Sequence, residues 1–115
     1  MLENRKIEIL DSTLREGEQT PGVLFTLNEK LDIAKKIDLF GVDFIELGHP
    51  AVAPDIYEAV EALNSLELNS KKIVHGRATK SDINDAKILD VEWIGIFYGT
   101  SLLSRKYKHN VNKKE

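Results

Sequence analysis

Two adjacent residues of opposite charge, Arg15 and Glu16, are the first in this sequence whose types suit catalysis. They lie in "LDSTLREGEQTPG", residues 10–22, which also contains Gln19. A guanidinium can bind a carboxylate or stabilise developing negative charge, and a carboxylate oxygen is a ligand for hard metal cations. An acid beside an arginine is also common in solvated turns. The position of the pair in the fold therefore decides between these interpretations.

Glu46 and His75 are ionisable residues at the ends of apolar stretches, and each has two interpretations. Glu46 either contacts a ligand or forms a buried ion pair with Arg15. His75 is either a core histidine with a satisfied hydrogen bond or, together with nearby Arg77, part of a site for an anionic carboxylate. The presence of two donors at the end of one stretch favours the carboxylate site.

Further polar residues have weaker indications of function. Thr100 and Ser101 follow "FYG" and are candidates for substrate contacts, although hydroxyl groups in this position equally suit the capping of the next segment. His49 precedes Pro50 and suits a loop histidine that is held by a carbonyl group.

Alternating strand and helix patterns determine where these side chains lie. Residues 26–29 form a capping box, Gly41 ends the helix that follows, Pro54 opens a second helix, and residues 79–82 resemble the start of a third. Strand patterns cover residues 6–10, 42–48, 71–76 and 91–99. Strands joined by helices pair in parallel, so their carboxyl ends meet at one edge. The candidate residues follow these carboxyl ends, where catalytic groups of barrel enzymes lie.

The units predict an α/β fold, the N-terminal part (about four strands) of a (β/α)8 TIM barrel. A doubly wound nucleotide-binding fold would carry a glycine-rich turn after its first strand, where this chain has "DSTLREGEQ". A complete barrel needs about 250 residues, whereas the chain has 115 and ends in "NVNKKE", which resembles the start of another helix. We expect residues 1–115 to be the N-terminal half of a barrel domain. A small independent four-stranded α/β domain is the alternative.

Composition excludes several classes of function. The net charge of −3 provides no basic surface for nucleic acid or for an anionic membrane. The chain has no cysteine, so disulfides and thiolate chemistry are absent. No apolar run approaches the roughly 20 residues that cross a bilayer, and the N-terminus lacks a signal-peptide pattern. These features are typical of a cytoplasmic domain.

The polar stretch after the first strand closely resembles a family motif. "DSTLREGEQTPGV" is similar to the first-strand motif of the acyltransferases that join acetyl-CoA to a 2-oxo acid by Claisen condensation: the homocitrate, isopropylmalate and citramalate synthases. The likeness continues through "DFIELGHPAVAPDIYEAV", "HGRATKSDI" and "IFYGTSLLSRKYKHN", and so covers nearly the whole chain. This family belongs to the metal-dependent TIM-barrel enzymes, and the resemblance implies the same fold here.

Within this family, two positions of the chain resemble homocitrate synthases. Glu16 stands where isopropylmalate and citramalate synthases usually have aspartate, and His75 stands where members with isopropylmalate activity have small or apolar residues. The resemblance implies that His75 recognises the distal carboxylate of 2-oxoglutarate, giving homocitrate for lysine biosynthesis through α-aminoadipate. "TPGV" is typical of both groups, so isopropylmalate or citramalate synthase remains an alternative. A non-catalytic half-barrel that binds a carboxylate is another.

The resemblance also implies roles for the remaining candidates. Glu16 would bind a divalent metal, Mg²⁺ or Mn²⁺ with Zn²⁺ as a further option, and Arg15 would hydrogen-bond the developing alkoxide and the substrate carboxylate. Arg77 would assist His75, and Gln19 and Glu46 would orient these groups; Thr100 and Ser101 are further candidates for substrate contacts.

Part of the expected site lies outside this sequence. The family's other metal ligands form a His-x-His motif, which the chain's three histidines do not form. These ligands and the base that enolises acetyl-CoA are expected downstream. We therefore expect these residues to be inactive alone and the full-length protein to be a homodimer.

Overall fold

Four parallel strands form one sheet, and a helix joins each strand to the next. The computed structural model describes residues 4–112 and residue 114. A short helical turn, α1, Thr13–Glu16, continues into a 3-10 turn, Gly17–Gln19, and another 3-10 turn covers Pro50–Val52. The strands are β1, Leu10–Asp11; β2, Phe44–Glu46; β3, Lys71–Arg77; and β4, Trp93–Phe97. The connecting helices are α2, Leu27–Phe40; α3, Pro54–Asn64; and α4, Lys80–Ile88.

The strands lie in the sheet in the same order as in the sequence. The order is β1-β2-β3-β4, and all neighbouring pairs are parallel. The register aligns Leu10 with Phe44, Glu46 with Ile73, and His75 with Gly95. The predicted alternation of strands and helices is therefore confirmed, and the carboxyl ends of the strands lie along one edge.

The ends of α2 follow from local chemistry. The Thr26 hydroxyl accepts a hydrogen bond from the Glu29 amide at 3.3 Å, and the Glu29 carboxylate accepts one from the Thr26 amide at 2.7 Å. This reciprocal pair is the predicted capping box. Gly41 ends the helix at φ +95°, a conformation that favours glycine. These two local signals make both helix ends predictable.

The strands differ in extent from their sequence patterns. The first was expected over residues 6–10, but β1 pairs only through Leu10 and Asp11. Ile7 and Ile9, which were expected within it, are 81% and 56% exposed. Strand length depends on the partner as well as on the pattern, and among the described residues β1 has β2 as its only neighbour. β2 spans only Phe44–Glu46, and because only its Phe44 and Ile45 pair with β1, the short partner limits the length of β1.

The last helical segment lies earlier than the sequence suggested. A π-helical stretch covers Ser104–His109, and Asn110 ends it in a left-handed conformation at φ +53°. The helix start expected in residues 110–115 is not found in residues 110–112, and residues 113 and 115 lie outside the described residues. Among the residues that the structure describes, no helix has the length and apolar character needed to cross a membrane.

The two faces of the sheet differ in burial. The core packs between one face and the helices, and its fully buried members include Ala34, Ile45, Val60, Leu63 and Val74. The opposite face carries apolar side chains that stay accessible. There the Phe44 and Trp93 rings pack edge to face at 5.5 Å, yet Trp93 is 49% exposed and Phe97 56%. In a closed barrel, this second face would line the interior.

Candidate functional site

A cavity of about 350 Å³ opens where β1, β2 and β3 end. Its lining comes from β3, from the segments that follow β1 and β2, and from α2 and α3. The polar residues are Arg15, Glu18, Gln19, Lys30, His49 and His75; the apolar ones are Leu14, Leu24, Leu47, Val52, Ile56 and Ala59, together with the backbone of Gly48. A small anionic molecule with an apolar segment would suit such a lining.

Arg15 lies between two carboxylates. Its Nε donates to Glu46 Oε1, and its Nη1 is 3.0 Å from Glu16 Oε1. The Glu46 side chain is only 9% exposed, whereas that of Glu16 is 53% exposed. Burial alone would lower the pKa of Arg15, but the hydrogen bond to Glu46 and the charges of both carboxylates outweigh it and raise the pKa. The ion pair considered for Glu46 is thus present, and it leaves the Glu16 carboxylate accessible.

Local hydrogen bonds shape the turn that carries Arg15. The Asp11 carboxylate accepts from the Thr13 amide at 2.9 Å and from the Thr13 hydroxyl at 3.1 Å. The Ser12 carbonyl accepts from the Arg15 amide at 3.1 Å and from the Glu16 amide at 2.8 Å, which closes the short helix α1. Leu14 is buried, with 2% of its surface exposed, and anchors the turn in the core. The chain therefore turns sharply after β1 and holds the Arg15 guanidinium at the sheet edge.

A second ion pair holds the rest of this loop. Lys30 Nζ, from the first turn of α2, is 3.0 Å from Glu18 Oε2, and the two side chains are 7% and 13% exposed. The other Glu18 oxygen accepts from the Phe25 amide at 3.0 Å. One carboxylate thus connects the turn after β1 to the segment that enters α2. Gln19, which also lines the cavity, lies next to Glu18.

His75 projects from β3 into the same cavity. Its amide donates to the Gly48 carbonyl at 2.9 Å, which continues the pairing of β3 beyond the end of β2. Gly48 has φ +147°, and an added Cβ would lie 3.1 Å from Val60 Cγ2, so this position requires glycine. Burial and then the positive charge of Arg15 lower the pKa of His75. The imidazole is therefore neutral near pH 7.

Arg77, two residues beyond His75, interacts mainly with α4. Its Nη2 is 2.8 Å from Asp82 Oδ1, and its Nε and its amide donate to Asp82 Oδ2 at 3.0 and 2.8 Å. The Arg77 side chain is 59% exposed and is not among the residues that line the cavity. The structure brings Arg15, Gln19 and His75 together but directs the guanidinium of Arg77 to a carboxylate of the protein.

The two hydroxyl candidates after β4 lie outside this cavity. The Ser101 hydroxyl donates to Ser104 Oγ at 3.0 Å and accepts from the Ser104 amide at 3.1 Å. Ser101 therefore caps the following helical stretch, which is one of the two roles considered for it. Thr100 is exposed.

Two pairs of residues at the site had not been singled out as contacts. They are Lys30 with Glu18, and His49 with Asp82, whose atoms Nε2 and Oδ2 are 2.9 Å apart. Lys30 lies one helical turn before Ala34 and therefore on the buried face of α2. A lysine at such a position in the sequence indicates a buried charge. The His49–Asp82 contact joins residues 33 positions apart and has no local signal.

Glu16, the expected metal ligand, has no further candidate metal ligands grouped around it in the part of the chain that the structure describes. Within residues 4–112 and 114, no three or more histidine, cysteine, aspartate or glutamate side chains are arranged to hold a metal ion. The ligand role of Glu16 stays a prediction.

Comparison with known proteins places nearly the whole chain in one group. The pattern of the family described as HMGL-like matches residues 6–115. Proteins named homocitrate synthase from Saccharolobus islandicus (strain M.14.25 / Kamchatka #1), Saccharolobus solfataricus and Sulfurisphaera tokodaii are 50%, 49% and 49% identical over 114 residues. Each alignment covers 96% of this chain and 25% of the relative. The chain thus spans about a quarter of the length of the curated relatives it matches.

Proposed function

The chain belongs to the HMGL-like family, and from this membership we propose that it forms part of a homocitrate synthase. Its four-stranded parallel sheet is a partial TIM barrel. The proposed reaction is a Claisen condensation of acetyl-CoA with 2-oxoglutarate in lysine biosynthesis. Residues 1–115 would be the N-terminal half of the catalytic domain of a cytoplasmic, homodimeric enzyme. The curated relatives that share about half of its residues carry the same name.

The observation that carries this proposal is the presence of Arg15 and His75 on one cavity. A 2-oxo acid with two carboxylates needs groups for its reacting end and others for its distal end. Arg15 would bind the C1 carboxylate and the alkoxide that develops from the keto oxygen, which is an electrostatic stabilisation of the transition state. His75 would bind the distal carboxylate.

The Glu16 carboxylate is suited to a divalent cation. It is about half exposed at the strand ends, and the pairing with Arg15 Nη1 uses only one of its oxygens. Carboxylate oxygens are ligands for Mg²⁺ and Mn²⁺, and zinc accepts them as well. A bound cation would polarise the keto group of the acceptor. Further ligands and the base that enolises acetyl-CoA would come from the rest of the protein.

The other candidates are proposed as supporting residues. Glu46 would fix the guanidinium of Arg15 through their ion pair. Gln19 would contact substrate from the cavity wall. Arg77, Thr100 and Ser101 remain proposed substrate contacts, and in this structure Arg77 and Ser101 hydrogen-bond within the protein.

Acceptor preference in the full-length protein tests the proposal. We expect the highest kcat/KM with 2-oxoglutarate, compared with 2-oxoisovalerate and pyruvate. His75→Leu should raise the KM for 2-oxoglutarate by about 10- to 100-fold, as expected when a hydrogen bond to a charged group is lost. His109→Leu is the matched control because His109 stacks on Tyr98, outside the cavity. Preference for another acceptor, or no condensation, would overturn the proposal.

The apolar lining favours one alternative, an isopropylmalate synthase. Leu14, Leu24, Val52 and Ile56 border the same cavity as His75 and would accommodate the branched side chain of 2-oxoisovalerate. This alternative predicts that His75→Leu improves, rather than impairs, catalysis with 2-oxoisovalerate. The same set of assays distinguishes the two functions.

Because these residues span about a quarter of the relatives, we expect the 115-residue chain alone to lack condensation activity. The expectation is checked by release of free CoA from acetyl-CoA in the presence of 2-oxoglutarate and Mg²⁺. Turnover by the purified chain would contradict it.

A further inference from the structure

A buried carboxylate, Asp82, gathers three side chains at the carboxyl end of β3. Its side chain is 1% exposed. Oδ1 accepts from Arg77 Nη2 and from the Thr79 hydroxyl, both at 2.8 Å. Oδ2 lies 2.9 Å from His49 Nε2. This network is separate from the two carboxylates that pair with Arg15. It connects His49, a residue that lines the cavity, to helix α4.

The network determines which nitrogen of His49 carries a hydrogen. Asp82 is held as a carboxylate, since the hydrogen bonds from Arg77, His49 and Thr79 keep its pKa far below the usual range despite burial. An ionised carboxylate can only accept hydrogen bonds. His49 Nε2 must therefore donate to Asp82, which fixes the ring and leaves Nδ1 as the nitrogen that can interact elsewhere.

His49 lies beside His75 on the cavity wall. The two ring centroids are 5.3 Å apart, with the rings nearly perpendicular at 78°, and both residues line the cavity. The His49 side chain is 17% exposed. One small group in the cavity could therefore contact both imidazoles.

The arginine and lysine side chains that line the cavity, Arg15 and Lys30, are already paired within the protein. Arg15 pairs with Glu46 and Glu16, and Lys30 pairs with Glu18. Arg77 pairs with Asp82, so the charge of that carboxylate is balanced without His49. Among the described residues that line the cavity, the side-chain donors outside the arginine and lysine ion pairs are His49, His75 and Gln19, and of these the two histidines contact each other.

We infer that His49 is a substrate-binding residue for the distal carboxylate of the acceptor, and that Asp82 is its positioning residue. The inference rests on the proposed function and deepens it. Nδ1–H of His49 donates to one carboxylate oxygen while Nε2–H stays on Asp82, and His75 donates to the other oxygen. Since burial keeps His75 neutral near pH 7, it brings one N–H and no charge. Donation from both ring nitrogens of His49, to Asp82 on one side and to the substrate carboxylate on the other, is the hydrogen bonding that a doubly protonated imidazole offers.

The decisive variant is His49→Gln in the full-length protein. A glutamine amide can still donate to Asp82 from the position of Nε2, but it presents no nitrogen in the place of Nδ1. We expect the KM for 2-oxoglutarate to rise about 10- to 100-fold with kcat changed less than about threefold. The KM for 2-oxoisovalerate, which lacks the distal carboxylate, should stay unchanged. Calorimetric binding of 2-oxoglutarate without acetyl-CoA should show the same loss in affinity.

Two further variants separate positioning from folding. Asp82→Asn keeps an acceptor for His49 but removes the charge, so the KM for 2-oxoglutarate should rise by a smaller factor, about 3- to 10-fold. Thr79→Ala removes one hydrogen bond to the Asp82 carboxylate and the N-cap bond from the Asp82 amide, but Thr79 does not line the cavity. It should lower the melting temperature and leave acceptor preference unchanged.

The outcomes distinguish failure of the inference from failure of the proposed function. If the unmodified enzyme prefers 2-oxoglutarate and His49→Gln keeps its KM, the inference is overturned and the proposed function stands. A loss of kcat with every acceptor at unchanged KM would also overturn it. If the unmodified enzyme prefers 2-oxoisovalerate or pyruvate, both are overturned.

Discussion

The guanidinium of Arg15 is held from two sides, and this has a consequence for the neighbouring acids. Glu46 is nearly buried and fixes the side chain from β2, whereas Glu16 is half exposed and shares the same cation. The buried acid therefore orients Arg15, and the exposed acid is left to meet a ligand. Single-residue changes should separate these two contributions.

Glu46→Gln should lower the free energy of unfolding by about 1–3 kcal/mol, because a charge-assisted hydrogen bond to Arg15 becomes a neutral one. Urea denaturation followed by circular dichroism measures this loss. Glu61→Gln, on the exposed side of α3, is the control and should stay within about 0.5 kcal/mol of the unmodified protein. Equal stability of both variants would contradict a structural role for the Arg15–Glu46 pair.

His75 should make stability depend on pH. Its pKa in the folded chain lies below the ordinary 6.5 because of burial and the charge of Arg15. As pH falls through about 6.5 the unfolded chain therefore takes up a proton before the folded chain does, and stability decreases until the folded pKa is passed. His75→Asn should lose less stability than the unmodified protein between about pH 7.5 and 5. Parallel denaturation series, with His109→Asn as control, check this; equal pH dependence in His75→Asn and the unmodified protein would refute it.

Among the secondary-structure elements, the loop between β1 and α2 depends on one internal ion pair. Glu18 and Lys30 are both largely buried, and Glu18 also accepts from the Phe25 amide. Removing one partner of a buried pair leaves the other charge without compensation. The loop that carries Arg15 and Gln19 is thereby tied to the start of the longest helix.

Lys30→Ala should therefore cost about 3 kcal/mol or more of unfolding free energy, and it should increase amide hydrogen exchange in residues 17–26. Combining Lys30→Met with Glu18→Gln should recover part of the loss, since glutamine still accepts from the Phe25 amide and carries no charge. Lys35→Ala, an exposed change on the same helix, is the control. Equal effects of Lys30→Ala and Lys35→Ala would show that the pair contributes nothing.

Elements whose ends depend on neighbouring residues were predictable, and contacts between distant residues were not. The capping box at Thr26 and the left-handed Gly41 determine α2 locally. The Arg15–Glu46 pair could be considered because both residues lie at the carboxyl ends of parallel strands. The His49–Asp82 contact, between residues 33 positions apart, could not, because its geometry arises only when α4 packs behind β3.

On the scale of the whole molecule, the exposed apolar face of the sheet is the dominant feature. Trp93 and Phe97 lie on this face of β4 and are each about half exposed, and a strand that lacks a neighbour on one side also offers unpaired backbone groups. Both properties favour association with another surface. The partial barrel was predictable from the βα alternation, whereas the extent of exposure was not.

We therefore expect the purified 115-residue chain to self-associate. Size-exclusion chromatography with light scattering should give a mass above the 13.0 kDa of one chain. Trp93→Lys with Phe97→Lys should shift the mass toward that of a monomer, whereas the matched changes Leu39→Lys with Phe40→Lys, at exposed positions of α2, should not. A well-folded monomer at high concentration would argue against this expectation.

The strands follow one another in the sheet in the same order as in the sequence, and this has a consequence for synthesis on the ribosome. Each strand after the first pairs with the strand that precedes it in the chain, so every pairing can form as soon as the second partner has been translated. Domains begin to fold from their N-terminus during synthesis, at about 5–20 residues per second. The helix-covered core can therefore close on the nascent chain before later residues appear. The apolar face of the sheet would be covered last, and until then it would be accessible to a chaperone.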